Sequence, residues 1–127
     1  MGITATAKVG SISTPSIINS SIFLSDSFGN KLESFSVNDQ LQIVGTIINE
    51  QNFKQQFVYI FQVKDAHDTV VSVSWISGEI SPNQNLDVSQ SWIPAVSGSH
   101  FVETFVWKSF ADPIPLSAPE HVEITIQ

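Results

Sequence analysis

His67, His100 and His121 are the side chains best equipped for proton transfer or metal ligation near neutral pH. No two of them stand at i, i+2 or i, i+4 and no carboxylate cluster joins them, so a metal centre would need convergence from distant parts of the chain. The plainer alternative for each is a solvated or packed imidazole. Cysteine is absent, which removes thiol nucleophiles, disulfides and cysteine-based zinc or copper sites together. Serine is plentiful, yet no Gly-x-Ser-x-Gly elbow occurs, and Ser77-Gly78 and Ser97-Gly98 read as turn pairs. Asp26 with Glu33, or Asp65 with Asp68, could be paired as acid and base, but Asp65 and Asp68 flank a hairpin and fit solvated turn residues. Asp65-Ala66-His67-Asp68 also lacks the carboxylate count and central glycine of an EF-hand loop, which leaves calcium at the loop acids as an alternative only. The expectation is therefore a protein that is not an enzyme, with no catalytic residue, no metal ligand and no cofactor.

The elements that carry these residues repeat with period two, and Val, Ile, Phe, Thr and Trp dominate them, so they read as strands. Residues 1–16 are small and polar and predict an extended arm or loose first strand; 17–127 predict one domain. Strands are expected over 17–24, 41–48, 57–64, 69–76, 86–92, 100–108 and in a last run where Val122, Ile124 and Ile126 alternate with polar residues. Asp26-Ser27-Phe28-Gly29-Asn30 carries the chemistry of a tight reversal, since Gly and Asn tolerate positive φ. Ser77-Gly78 is expected to end the strand before it. About seven short strands with turns between them and no amphipathic helix indicate an all-β, two-sheet antiparallel sandwich of the immunoglobulin-like class.

Alternation fails in two places. The 57–64 strand puts Phe57, Tyr59, Phe61 and Val63 on one face but also Val58 and Ile60 on the other, before turning polar at Gln62 and Lys64. The 100–108 strand puts Val102 and Val106 on one face and Phe101, Phe105 and Trp107 on the other. Such strands are expected to be neighbours in one sheet, and only one face of a sheet can meet the opposite sheet. The surplus on Val58, Ile60, Phe101, Phe105 and Trp107 must be covered by the N-terminal arm, by the loop around Phe110, or by another molecule. Trp92 lies in a cleanly alternating strand and reads as core, whereas Trp75 fits either core or surface and is the candidate glycan contact. Asn19-Ser20-Ser21 is an Asn-x-Ser sequon, which makes Asn19 a possible glycosylation site.

Twelve acidic residues against five lysines and no arginine give a net charge of −7, which disfavours nucleic acid as a partner. Charged residues are only 13% of the chain, so the surface is polar without being highly charged. No apolar run is long enough to span a membrane, and Met1-Gly2-Ile3-Thr4 does not open a signal peptide. The 42% hydrophobic content of 127 residues supports a substantial core.

Three segments together resemble the CARDB-type modules of bacterial and archaeal surface proteins: Ile80-Ser81-Pro82-Asn83-Gln84-Asn85, Val88-Ser89-Gln90-Ser91-Trp92-Ile93-Pro94 and Gly98-Ser99-His100-Phe101-Val102. In that family a Pro-Gly-x-Ser turn leads to a strand ending near Trp-x-Pro, and Gly-x-Tyr opens the next. Val44-Gly45-Thr46-Ile47-Ile48-Asn49 is similar to the family's first core strand, which ends at an Asn. Asn83 stands where the family has Gly, and His100 where it has Tyr. The resemblance implies an extracellular or cell-envelope setting, within a secreted or anchored precursor, and a structural, adhesion or assembly role through protein–protein contacts. The partner would be a neighbouring module, another protein or a second copy, with residues 1–16 able to add as a strand to a neighbour's sheet. Carbohydrate or calcium binding is the alternative function.

Overall fold

The computed structural model describes residues 16–127; the arm expected over 1–16 lies almost wholly outside them. Among the described residues eight strands form in chain order: β1 (Ile18–Asn19), β2 (Phe23–Ser25), β3 (Leu41–Ile48), β4 (Gln55–Asp65), β5 (Val70–Ile80), β6 (Asn85–Trp92), β7 (Gly98–Trp107) and β8 (Glu120–Ile126). They make two antiparallel sheets. In the first, β6 pairs with β3 along one side while β1 and β2 pair with different stretches of its other side. The second runs β5-β4-β7-β8. The architecture is the immunoglobulin-like sandwich that the strand pattern predicts, with β4 and β7 adjacent as expected.

The single strand expected over 17–24 is two short ones. Between Asn19 and Phe23 the register against β3 slips by one residue, and Ser20 anchors the irregularity by donating both its backbone N–H (2.9 Å) and its hydroxyl (3.0 Å) to the Thr46 carbonyl. A second correction concerns Ser77-Gly78, which does not end β5. The ladder continues to Gln55 opposite Ile80, with Ser77 paired to Val58 and Gly78 to Phe57.

The core forms where the inner faces meet. Leu41, Ile43 and Ile47 of β3 pack on Phe57, Tyr59, Phe61 and Val63 of β4 and on Val102 and Val106 of β7, while Trp92 is buried as its alternating strand predicts. Gly45 is the one residue of this β3 face without a side chain. The Tyr59 hydroxyl occupies the place its Cβ would take. Tyr59 donates to Asn19 Oδ1 (3.3 Å), whose Nδ2 donates to the buried Thr104 hydroxyl (3.3 Å), so one polar chain stitches the sheets together inside the sandwich. Burial, more than the charge of Glu120, pushes the phenol up to about 12 against the opposing effect of a Thr104 hydrogen bond.

Two Asn residues organise the loops at the end of β3. Asn49 is fully buried; its Nδ2 faces the carbonyls of Phe53 (2.9 Å), Ile80 (3.0 Å) and Ser81 (3.2 Å), and its Oδ1 accepts from both the backbone and side chain of Gln51. Asn83 sits at φ 60° behind Pro82, in a turn closed by Gln84 N–H donating to Ser81 O (3.1 Å). That left-handed position is where Gly is best tolerated and Asn next best, which accounts for the exchange between this sequence and the CARDB pattern.

Candidate functional site

The outward face of β5-β4-β7-β8 divides into an aromatic half and a polar half. Along β4, Val58 lies between Ser77 and Trp107, and Ile60 between Trp75 and Phe105, so two aliphatic side chains form a floor with aromatics on both sides. Beyond β7, the chain turns back: Lys108 and Leu116 N–H donate to Ile114 O and Val106 O, Asp112 N–H donates to the Ser109 hydroxyl, and Lys108 pairs with Asp112 (3.3 Å). This fold brings Phe110 over the sheet. Its ring stands edge-on to Trp75 (5.3 Å, 85°) and to Trp107 (6.3 Å, 88°), and Trp107 continues the cluster to Phe105 at 6.2 Å.

Val58 and Ile60 are therefore only 1% and 7% exposed although neither belongs to the inner core. The surface expected at these two positions is corrected: they are the floor, and the chain's own rings cover them. Phe105 and Trp107 are partly exposed on top, and Trp75 and Phe110 are each 53% exposed, with Val70 and Val73 half-exposed farther along β5. Of the three ways to cover the apolar surplus, the Phe110 loop supplies a partial one, and a solvent-facing apolar surface remains.

Phe101 belongs to the polar half. It stacks on His121 (5.1 Å, 22°), while Gln62 donates to Glu103 (3.2 Å) and Lys64 reaches both Glu103 (3.4 Å) and Asp68 (3.5 Å). The Glu103 carboxylate raises the Lys64 ammonium above its usual range, with Asp68 adding to the effect. Phe101 is thus separated from the Trp75–Phe110 cluster by a charged strip.

The three histidines do not converge. His67 is exposed in the β4–β5 turn, His121 lies on Phe101, and His100 is buried with its ring 5.5 Å from Trp92 and its Nδ1 3.0 Å from Gly98 O. His100 and Trp92 line a small cavity of about 180 Å³ that the hairpin turn at Asp65 closes from the other side. Among the described residues no group of three or more His, Asp or Glu is placed to hold a metal ion. The loop acids act on their own backbone. Asp65 accepts from the N–H groups of Thr69 (3.0 Å) and His67 (2.8 Å), and Asp26 from those of Asn30 and Phe28 (both 2.9 Å), which lowers both carboxyls from the ordinary range.

Asn19 lies on the inside of β1. Its amide nitrogen, the atom a glycan would join, is turned to Thr104 between the sheets, so the sequon is not presented as an acceptor. Neither this interior chain nor the Asn49 cluster is signalled by the sequence: both join residues far apart in the chain.

No protein-family model and no curated protein matches the chain. Among solved structures, the C-terminal domain of Wzt superposes at a TM-score of 0.73 and 11% identity, over 90% of this chain and 75% of that one. A Bacteroides uniformis β-glucuronidase matches at 0.67 and 12% identity, over 83% of this chain but 13% of the enzyme. The CARDB domain of a Pyrococcus furiosus protein, solved in complex with di-metal ions, matches at 0.60 and 10% identity, over 92% of this chain and 97% of that one. These likenesses show a shared β-sandwich fold, and the CARDB-like motifs thus sit on a CARDB-like fold. No helix of the described residues is long and apolar enough to cross a membrane.

Proposed function

We propose that this chain is a non-catalytic β-sandwich module of a cell-envelope protein, working by docking the aromatic half of its second sheet against a protein partner or neighbouring module. The observation that carries the reading is the ridge of Trp75 and Phe110, each half-exposed over a buried Val58–Ile60 floor and continued by the valines of β5. Aromatic side chains of this kind give large contact area at low entropic cost and dominate protein interfaces. The engagement of Asp26 and Asp65 by their own turns and the dispersal of the histidines supports a non-catalytic role. The cell-envelope setting rests on the CARDB-like motifs.

Carbohydrate binding at Trp75 is the second reading, favoured by two tryptophans on one face beside Gln62 and Glu103. Phe110 argues against it, since it fills the space between the two indoles edge-on and interrupts a flat platform. The test is a photo-activated crosslinker at Phe110 in the chain displayed on cells, with Ser89 on the opposite sheet as control. A discrete protein adduct from position 110 alone is the expected result. Equal labelling from both positions, or glycan-array binding that Trp75→Ala abolishes, rejects protein docking at this face.

A further inference from the structure

We infer that β5 is a pairing edge, and that a second copy of this chain adds to it antiparallel about a two-fold axis, joining two four-stranded sheets into one. This rests on the edge of the sheet and not on its face, so it stands apart from the docking reading above.

The ladder shows which backbone groups are free. Asp65 N–H donates to Thr69 O (2.9 Å), so odd-numbered residues of β4 bond toward β5 and even-numbered ones toward β7. Trp75 pairs with Ile60 and Val73 with Gln62, so both turn their N–H and C=O groups to the open side. The Gln90 side chain donates to the Trp75 carbonyl from that side in a long 3.4 Å contact, which the added strand would displace. Among the described residues no backbone pairs with this side of β5. The other edge of the sheet is treated differently: Phe35 and Val37 bond the end of β8 through Gln127 (2.8 and 3.2 Å), and β8 carries Glu120 and Glu123.

An exposed edge normally carries charge or proline to prevent pairing. Between Val70 and Gly78 β5 has neither. A two-fold axis brings only the charges close to it near their own copies, and with none between Val70 and Gly78 pairing along this strand sets no like charges opposite one another. The sequence is also self-complementary there. An axis through Ser74 sets Val73 opposite Trp75 of the second copy, which fits the direction of their free backbone groups and makes β-branched–aromatic pairs on the outer face. The occupant is therefore another copy, held in a concentration-dependent dimer, since one strand pair lies at the small end of stable interfaces.

The axis also sets Ser74 opposite itself in a non-hydrogen-bonded pair, where Cα atoms are about 4.5 Å apart and within disulfide reach. The chain has no cysteine, so Ser74→Cys gives a single thiol. Under mild oxidation of the full chain, Ser74→Cys is expected to form a linked dimer at least about tenfold faster than Ser27→Cys in the exposed 26–30 turn, a bias that removal of residues 1–15 leaves in place. In sedimentation equilibrium, Val73→Pro, which removes a donor with no partner in the monomer, is expected to abolish association while circular dichroism stays unchanged. Ser74→Cys linking no faster than Ser27→Cys overturns the proposal, as does a wild-type chain that stays monomeric throughout or a dimer that survives Val73→Pro in the folded protein.

Discussion

Raising the pH above 10 should destabilise this protein through one identifiable group. Tyr59 is the only tyrosine of the chain, and burial in the sandwich pushes its hydroxyl up to about 12 against about 10 in the unfolded chain. Below pH 10 the phenol is neutral in both states and the interior favours it. Above pH 10 the unfolded chain releases the proton while the folded one keeps it, so stability falls with each further unit until the folded group ionises near pH 12. Two units at 1.36 kcal/mol each amount to about 2–3 kcal/mol lost across that window.

Because no second tyrosine contributes, the near-ultraviolet absorbance of tyrosinate reads this residue directly in the folded protein. The expected midpoint lies well above that of the same chain in denaturant. Denaturant unfolding at stepped pH gives the energetic half of the test: wild type should lose about 2–3 kcal/mol more than Tyr59→Phe between pH 10 and 12, the five lysines contributing alike to both. A folded-state midpoint near 10, or parallel stability curves for the two proteins, would refute burial of the Tyr59 hydroxyl as the cause.

Gly45→Ala should cost about 2–3 kcal/mol in denaturant unfolding, because the new methyl meets the Tyr59 hydroxyl. Part of that loss should return in a Tyr59→Phe background, and strict additivity would disprove the contact. Asn49→Ala should destabilise by about 3 kcal/mol and raise amide exchange in 50–55, since three carbonyls lose their donor in a buried site. Asn83→Gly should leave the thermal midpoint within a degree or two, whereas Asn83→Ala at φ 60° should cost about 1 kcal/mol.

What the sequence makes legible is what repeats along the strand. Period-two alternation places Leu41, Ile43 and Ile47 inside and buries Trp92, because burial acts on each residue through its own face of the sheet, whereas the pairing of β4 with β7 is expected from the sandwich class. The same pattern locates the apolar surplus on β4 and β7. It cannot divide that surplus into floor and roof, because Val58 and Ile60 are buried among Trp75, Phe105 and Trp107 of the flanking strands, with Phe110 packed on the two indoles. Asn19 fails for the same reason: the sequon is local, but the Thr104 hydroxyl that takes its amide is 85 residues away. Ser77-Gly78 shows a further kind of error, in which turn-forming residues stay in a strand because β4 runs on opposite them, pairing Val58 with Ser77 and Phe57 with Gly78.

The placement of charge connects the fold to both proposed surfaces. Asp26, Asp65 and Asp68 lie in turns, Lys64 and Glu103 neutralise one another across β4 and β7, and Glu120 and Glu123 line β8. With so few charges in the chain, each one placed there is one withheld elsewhere, and the stretch left bare runs from Val70 to Ser77 of β5 and across Trp75 to Phe110. Random placement of a solubilising charge would have fallen on that strip as readily as on β8. A lysine introduced at Ser77, on the strip and exposed, should therefore leave the fold intact while weakening docking at the face and pairing at the edge together, whereas one at Ser89 on the opposite sheet should weaken neither. Equal effects from the two positions, read by sedimentation and by crosslinking from Phe110, would mean that the bare strip has no role in contact.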